Sequence, residues 1–358
     1  MQNTPPNHYI SYNSLHPFPL HFYNTLDKQT KLFNCSIAMA GPATTPYVTL
    51  NSGHNMPVLG LGTFSLYQPP DLVPIFIQAI KLGYRHFDTS PIYGSERPLG
   101  FSIAEAIRCG LIQSRDEVFI TSKLWCTDAD PELVLPALQS SLSNLGLDYL
   151  DLYLVHWPLR VNSGEYKLMY PKEDLLPIDM KGVWQAMEEC HSLGLVKSIG
   201  VSNLSTKKLS DLLSYSTIPP AVNQVEMSVT WSQPKLRELC KKHGIYLTAW
   251  GPLGTYGEIW GSNLIMENPT LEYIASARGK TVAQVALRWL YEQNVTMVVK
   301  SFNKERMKEN LQIFDWKLTK EEAKLIAKVP QERRYQGNEF VSPSGPYKTV
   351  NELWDGEI

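Results

Sequence analysis

The stretch VFITSKLWCTDADPELVLPALQSSLSNLGLDYLDLYLVHW, residues 118 to 157, holds two apolar, β-leaning runs with a helix-like segment between them. VFITSKL carries a lysine near its carboxyl end, and YLDLYLVHW carries a histidine near its own. Between them, PELVLPALQSSLSNLG spaces its leucines along one helical face and stops on Gly146. Both outer runs are close to continuously apolar, as parallel strands covered on both faces are, rather than alternating as a strand with one wet face would. Strand, helix and strand in this order predict a βαβ unit.

The same theme extends in both directions. Toward the amino end, GLGTF precedes the helical DLVPIFIQAIKLG, which stops on Gly83, and HFDT precedes ERPLGFSIAEAIRCG. Toward the carboxyl end, a long excursion from Pro158 to Asp179 leads into MKGVWQAMEECHSLG. VKSIGVS is followed by TKKLSDLLSY, and AVNQVEM by QPKLRELCKKHG. YLTAW opens a second long excursion, and TMVVKS with KERMKENLQIF closes the series. The count is eight strand-first units over roughly 270 residues, the size of a (β/α)8 barrel. An open, doubly wound sheet would need a glycine-rich phosphate turn after its first strand. GLGTFS, residues 60 to 65, lacks the third glycine of G-x-G-x-x-G and does not run directly into a helix. The expected fold is therefore α/β, a TIM barrel over residues 39 to 358. It is preceded by a small hairpin, YVTL and MPVLG around Asn51-Ser52-Gly53.

Composition narrows the class. Of 358 residues, 43% are hydrophobic and 19% charged, as in a soluble globular enzyme and unlike a disordered chain. A formal net charge of −2 argues against nucleic-acid partners and against a polybasic membrane patch. No apolar run approaches the ~18–20 residues needed to span a bilayer. Cysteines 35, 109, 126, 190 and 240 share no Cys-x-x-Cys spacing, which points to a reducing, cytoplasmic setting without disulfides or a zinc site. Residues 1 to 38 show no period of 2 or 3.6, contain no arginine, and have their one apolar stretch broken by Pro17 and Pro19. They are expected to be a disordered extension rather than a secretory or transit signal.

Polar residues then recur where the strands end. Asp88 ends the second, Lys123 the third, His156 the fourth, and Ser202 with Asn203 the fifth. Gln224 lies in the sixth, Trp250 closes the seventh, and Lys300 with Ser301 closes the eighth. One such residue is ordinary, but one at nearly every strand end is what a barrel needs to build a site at its upper mouth. Tyr93 lies five residues beyond Asp88, in the turn that follows it. A tyrosine hydroxyl has an unperturbed pKa of about 10, and a lysine beside it favours the phenolate. Asp88 would balance Lys123, and His156 could orient a substrate oxygen. This is the logic of carbonyl reduction, and no hydrolase elbow, metal cluster or carboxylate pair competes with it.

The ordered motifs HFDTSPIYGSE, ITSKLW, YLDLYLVHWP, SIGVSN, VNQVEM and VVKSFNKERMKEN resemble the aldo-keto reductase superfamily over residues 45 to 358. SLGLVKSIGVSN and the tail GPYKTVNELWDGEI resemble its plant branch, which includes codeinone, methylecgonone and chalcone-type polyketide reductases. The resemblance implies a catalytic tetrad of Asp88, Tyr93, Lys123 and His156, with Tyr93 as proton donor. It implies NADPH stretched across the barrel mouth, with Ser202, Asn203 and Gln224 on the carboxamide and Trp250 on the nicotinamide. Gly62, Thr63 and Asp88 would lie near the ribose and amide. Lys300, Ser301, Asn303 and Arg306 would surround the 2′-phosphate, and Asn310 would approach the adenine. Phe64, Tyr67, Trp125, Trp157, His156 and a long C-terminal loop beyond Pro330 would line the substrate pocket. Two positions depart from the family pattern: Pro91, in the loop carrying Tyr93, and Gly251, where a hydroxyl is often found.

Reduction of a small-molecule ketone or aldehyde in plant specialised metabolism is thus expected, by a monomer. A polyketide reductase in transient contact with a chalcone-type synthase is the alternative within the class. A non-catalytic, cofactor-binding regulatory subunit is the alternative from outside it, and it would have no need of a proton donor.

Overall fold

The computed structural model describes residues 45–162, 164–255, 258 and 260–358. The extension expected over residues 1–38 lies outside the described residues. Strands β1 (Tyr47–Thr49) and β2 (Asn55–Pro57) pair antiparallel, with Tyr47 opposite Pro57. Eight parallel strands follow: β3 (Leu59–Gly62), β4 (His86–Asp88), β5 (Phe119–Leu124), β6 (Leu152–Val155), β9 (Ile199–Ser202), β10 (Val222–Glu226), β11 (Tyr246–Trp250) and β12 (Thr296–Lys300). They close into a barrel in that order, β12 returning to β3 with Val298 opposite Gly60. Two short antiparallel strands, β7 (Arg160–Val161) and β8 (Leu175–Leu176), lie inside the first long excursion.

The helices form where the apolar spacing and caps allow. Helix α1 (Val73–Leu82) buries Phe76, Ile77, Ala79 and Ile80 and ends on Gly83 at φ 105°. Helices α2 (Glu96–Arg108) and α3 (Val134–Leu145) follow β4 and β5. Asp179 caps α4 (Met180–Ser192) by accepting from Gly182 N, and Ser205 caps α5 (Thr206–Leu213) by accepting from Lys208 N. After β10 comes α6 (Pro234–Lys242), and after β12 comes α9 (Lys304–Asn310). The second excursion contains two helices that its sequence reading did not separate, α7 (Pro269–Arg278) and α8 (Val282–Glu292). Each carries a legible start signal: Asn268 before Pro269, and a Thr281–Gln284 capping box. Beyond the barrel, α10 (Lys320–Ile326) ties back to α7 through Arg278 and Glu322 at 2.7 Å, and α11 (Val350–Leu353) ends the chain. Among the described residues no helix is long and apolar enough to cross a membrane.

Apolar packing is divided among three places. The main core lies between barrel and helices, where Phe76, Phe87, Tyr84 and Trp184 are fully buried. A second cluster joins Trp125 and Trp157 to Phe340, Leu353 and Trp354 of the tail. The third sets Leu50 and Met56 of the hairpin against Phe119, Leu152, Leu154 and Val222, at the amino-terminal ends of the strands. The hairpin is therefore a plug in the lower mouth, held also by Asn51 Nδ2 donating to Pro220 O at 3.0 Å. The buried thiols of Cys126, Cys190 and Cys240 sit in these cores.

A buried histidine lies among the polar residues below the upper site. His86 stands two residues below Asp88 on β4, with Nδ1 3.3 Å from Pro57 O and Nε2 3.1 Å from Thr121 Oγ1. Gly60 makes room for it, since a Cβ there would lie 2.7 Å from Nδ1. Burial pushes the His86 pKa down to about 4, mainly by desolvating the cation. The unfolded chain, with an ordinary histidine near 6.5, therefore binds a proton that the folded chain refuses between those values. This contribution to stability is complete above about pH 6.5 and lost as pH falls toward 4. Between pH 7.5 and 5 the wild type is expected to lose about 2 kcal/mol more than His86→Asn. Urea unfolding of both proteins at the two pH values measures this, and equal losses would remove His86 as the cause.

Candidate active site

Three strand ends, those of β4, β5 and β6, and the turn after β4 bring the expected tetrad together. Lys123 is fully buried, and its Nζ donates to Asp88 Oδ1 at 2.5 Å and to Thr89 O at 3.0 Å. Gln224 Nε2 donates to the other Asp88 oxygen at 2.8 Å. Tyr93 ends a short 3-10 turn, Pro91–Tyr93, closed by Gly94 at φ 65°. Its ring lies 4.7 Å from Lys123 Nζ, and its hydroxyl is 3.2 Å from His156 Nε2. Ser90 Oγ lies 3.3 Å from His156 Nδ1, and Asn203 Nδ2 donates to the His156 carbonyl at 3.0 Å.

The electrostatics differ from the sequence expectation in one respect. Lys123 was expected to draw the Tyr93 pKa down; instead burial raises it well above 10, and the Asp88 charge adds to the rise. The physical reason is that Asp88 neutralises Lys123 at close range while the phenol is buried. Tyr93 is thus held protonated. Burial, and then the charge of Lys123, push the His156 imidazole well below its ordinary value, so it is neutral. The Lys123 ammonium is itself lowered by burial, against the pull of Asp88. A protonated phenol and a neutral imidazole, side by side, make a hydrogen-bonding pair able to share one oxygen of a ligand.

The expected cofactor residues surround this centre. Ser202 Oγ donates to Gln224 O at 2.7 Å, and Asn203, at φ 59°, accepts from Trp250 Nε1 at 3.0 Å. Gln224 Oε1 takes no partner among the described residues, which leaves an acceptor for an amide. Gly62 stands opposite Lys300 in register, and Lys300 Nζ is 3.3 Å from Glu258 of the second excursion. Ser301 Oγ donates to Asn303 O at 3.2 Å, Asn303 caps α9 by accepting from Arg306 N, and the Arg306 side chain is exposed. Arg306, exposed at the start of α9, is a cation open to a ligand anion, whereas Lys300 is paired with Glu258. Two residues are committed elsewhere. Thr63 spends its hydroxyl on Asp88 O and Ser95 Oγ, and Asn310 bonds the buried Tyr84 hydroxyl. Gly251 has φ 61°, and a Cβ there would meet Thr255 at 2.9 Å, which accounts for the missing hydroxyl.

Of the expected pocket aromatics, Phe64 packs edge-on against Tyr93 at 5.0 Å and Trp125 edge-on against His156 at 4.8 Å. Trp157 is buried against Phe340 and Tyr335 of the tail, at 4.6 and 5.5 Å. Tyr67 is 69% exposed and takes no part in the ring contacts of the described residues. The sequence reading missed Trp260 and Tyr335. Trp260 stacks on Phe64 at 5.7 Å, and Tyr335 touches Trp157, Trp250 and Trp260. Both sit in aperiodic segments, where an aromatic carries no positional signal.

Comparison with known proteins identifies the family. The sequence profile of the aldo/keto reductase family matches residues 58–330. Protein REDOX 2 of Catharanthus roseus is 57% identical over 316 residues, covering 87% of this chain and 98% of that protein. Rhazimal reductase 2 of Alstonia scholaris is 56% identical with the same coverage, and deoxymugineic acid synthase 1 of Zea mays is 54% identical over 85% of this chain and 97% of its own. Among solved structures, a Bombyx mori aldo-keto reductase in complex with NADP superposes with a TM-score of 0.77 at 35% identity, covering 86% of this chain and 99% of that one. From fold, site and relatives together, the chain belongs to the aldo/keto reductase family, in its plant branch, and is an NADP-dependent oxidoreductase.

Proposed function

We propose that this protein reduces a ketone or aldehyde of plant specialised metabolism to its alcohol, with Tyr93 donating the proton. The observation that carries the reading is the convergence of the Tyr93 hydroxyl and His156 Nε2, 3.2 Å apart, above the buried Lys123–Asp88 pair. NADPH, when bound, supplies the hydride. Gln224, Ser202 and Asn203 would hold its carboxamide, Trp250 would support the nicotinamide ring, and Gly62 would border the ribose, the fully buried Thr63 behind it. Lys300, Ser301, Asn303 and Arg306 would lie toward the 2′-phosphate, while Asn310, bonded to Tyr84, is left out of the site. The neutral His156 orients the substrate carbonyl oxygen toward Tyr93, whose raised pKa keeps the proton in place until charge develops on that oxygen. Trp125, Phe64 and Trp157 give the substrate apolar walls, and the tail beyond Pro330 covers it. The test is NADPH oxidation across a panel of aldehydes and ketones with chiral analysis of the alcohols; no turnover with any carbonyl would remove the reading.

Cofactor preference is tied to Arg306, exposed at the start of α9. Arg306→Ala removes a charged hydrogen bond, worth roughly 1.5–3 kcal/mol, to a group that NADH lacks. NADPH is expected to bind about 10- to 150-fold more weakly, and NADH about as before. Fluorescence titration with both cofactors measures this; an equal loss for the two would take Arg306 out of the phosphate site.

A further inference from the structure

Glu226 is a buried acid at the end of a barrel strand, and the tetrad leaves it unused. It ends β10, two residues after Gln224, and is only 5% exposed. Its carboxylate accepts two backbone N–H groups from the tail, Arg334 N on Oε1 and Tyr335 N on Oε2, both at 3.1 Å. The guanidinium of Arg333 beside them is also buried, lying 3.7 Å over the Trp354 ring and 4.9 Å from the Trp231 ring. A buried carboxylate with two charge-assisted bonds is well satisfied, and a neutral replacement would leave donors unmet. The bonded segment carries Tyr335, whose ring is 5.6 Å from Trp250, 5.6 Å from Trp260 and 5.5 Å from Trp157. Trp260 leads through Phe64 to Tyr93 in successive ring contacts of 5.7 and 5.0 Å.

We propose that Glu226 is a positioning residue that seats Tyr335 as a wall of the substrate pocket, so that one carboxylate at a barrel strand end sets how tightly large, flat carbonyl compounds are held. It acts through the tail backbone and touches neither substrate nor cofactor. A small aldehyde near Tyr93 does not reach the wall, whereas a fused-ring ketone does. Glu226 therefore governs KM for the second class of substrate and leaves kcat largely alone. The inference rests on the reduction reading above, and its test has one arm that does not.

In that arm, amide hydrogen exchange is compared between the wild type and Glu226→Gln without substrate. The amides of Arg334 and Tyr335 are expected to exchange about tenfold faster or more in the variant, while those of β5 and β6 stay unchanged. Unchanged exchange in the tail would overturn the latch. In the kinetic arm, Glu226→Gln is expected to raise KM for fluorenone about tenfold, keep kcat within about threefold, and change KM for nitrobenzaldehyde less than about twofold. Tyr335→Ala is expected to raise KM for fluorenone by a similar factor, and the double variant to add less than about twofold to that KM, because both act on one wall. Effects that multiply in the double variant, or equal losses for the two substrates, would overturn the role assigned to Tyr335. Should Glu226→Gln not fold, Glu226→Asp carries both arms, since it keeps the charge beside Arg333 and shortens its reach. A wild type that reduced neither probe would count against the reduction reading, with the exchange arm still deciding the latch.

Discussion

Tyr93→Phe is expected to slow carbonyl reduction by about 10²- to 10⁴-fold, the usual worth of a positioned general acid, and to leave NADPH binding within a few-fold. Only the hydroxyl is lost. The ring keeps its edge contact with Phe64 and its place against Lys123, 4.7 Å from the ammonium. The hydroxyl's partner, His156, is held neutral and is anchored on its other side by Ser90, so the imidazole keeps its position. Because burial holds the phenol protonated well above its ordinary range, the wild type should show no loss of this acid through neutral and mildly alkaline pH. Single-turnover measurement of NADPH oxidation separates chemistry from product release. A variant retaining more than roughly a tenth of the wild-type chemical step would show that the proton comes from another group.

Lys123→Met is expected to destabilise the fold by about 3–5 kcal/mol, as well as to impair turnover. The pair it breaks is closed off from water on both sides, with side chains 0% and 4% exposed. Removing the ammonium strands the Asp88 carboxylate with Gln224 Nε2 as its remaining side-chain donor. The carboxylate cannot turn to solvent, because β4 and β5 fix it in the barrel. Combining Lys123→Met with Asp88→Asn should recover much of the loss, since the buried charge goes too. Urea unfolding of the two variants decides this: a single-variant loss under about 1 kcal/mol, or no recovery in the double, would mean that the pair does not carry the stability assigned to it.

The barrel and the upper site were legible for the same reason. Parallel strands are continuous apolar runs, so Asp88, Lys123, His156 and Lys300 stand out at their ends, and closure of the barrel converts ends into neighbours. What could not be read is whatever depends on where an aperiodic segment returns. Glu226 lay inside a motif that was recognised, yet its partner Arg334 is 108 residues away along the chain. Tyr335 and Trp260 reach the mouth from a tail and a loop with no register to place them. Tyr67, which the resemblance put in the pocket, is 69% exposed, an orientation that the motif does not carry. The direction of the Tyr93 pKa depended on depth, and the motif alone set the charges without the burial that outweighs them.

The hairpin in the lower mouth has a consequence for how the chain is made. It is the earliest of the described elements to leave a ribosome, and Asn51 bonds the carbonyl of Pro220, 169 residues further on. At about 5–20 residues per second, the plug waits on the order of ten to thirty seconds for a seat to exist. Its three-residue strands give it little stability alone during that time. Until β10 is synthesised, Leu50 and Met56 are exposed apolar side chains on a nascent chain, the kind of surface that chaperones bind. The earliest of the described elements is thus docked only after β10 is made, and its docking reports that strands β5, β6 and β10 have come together.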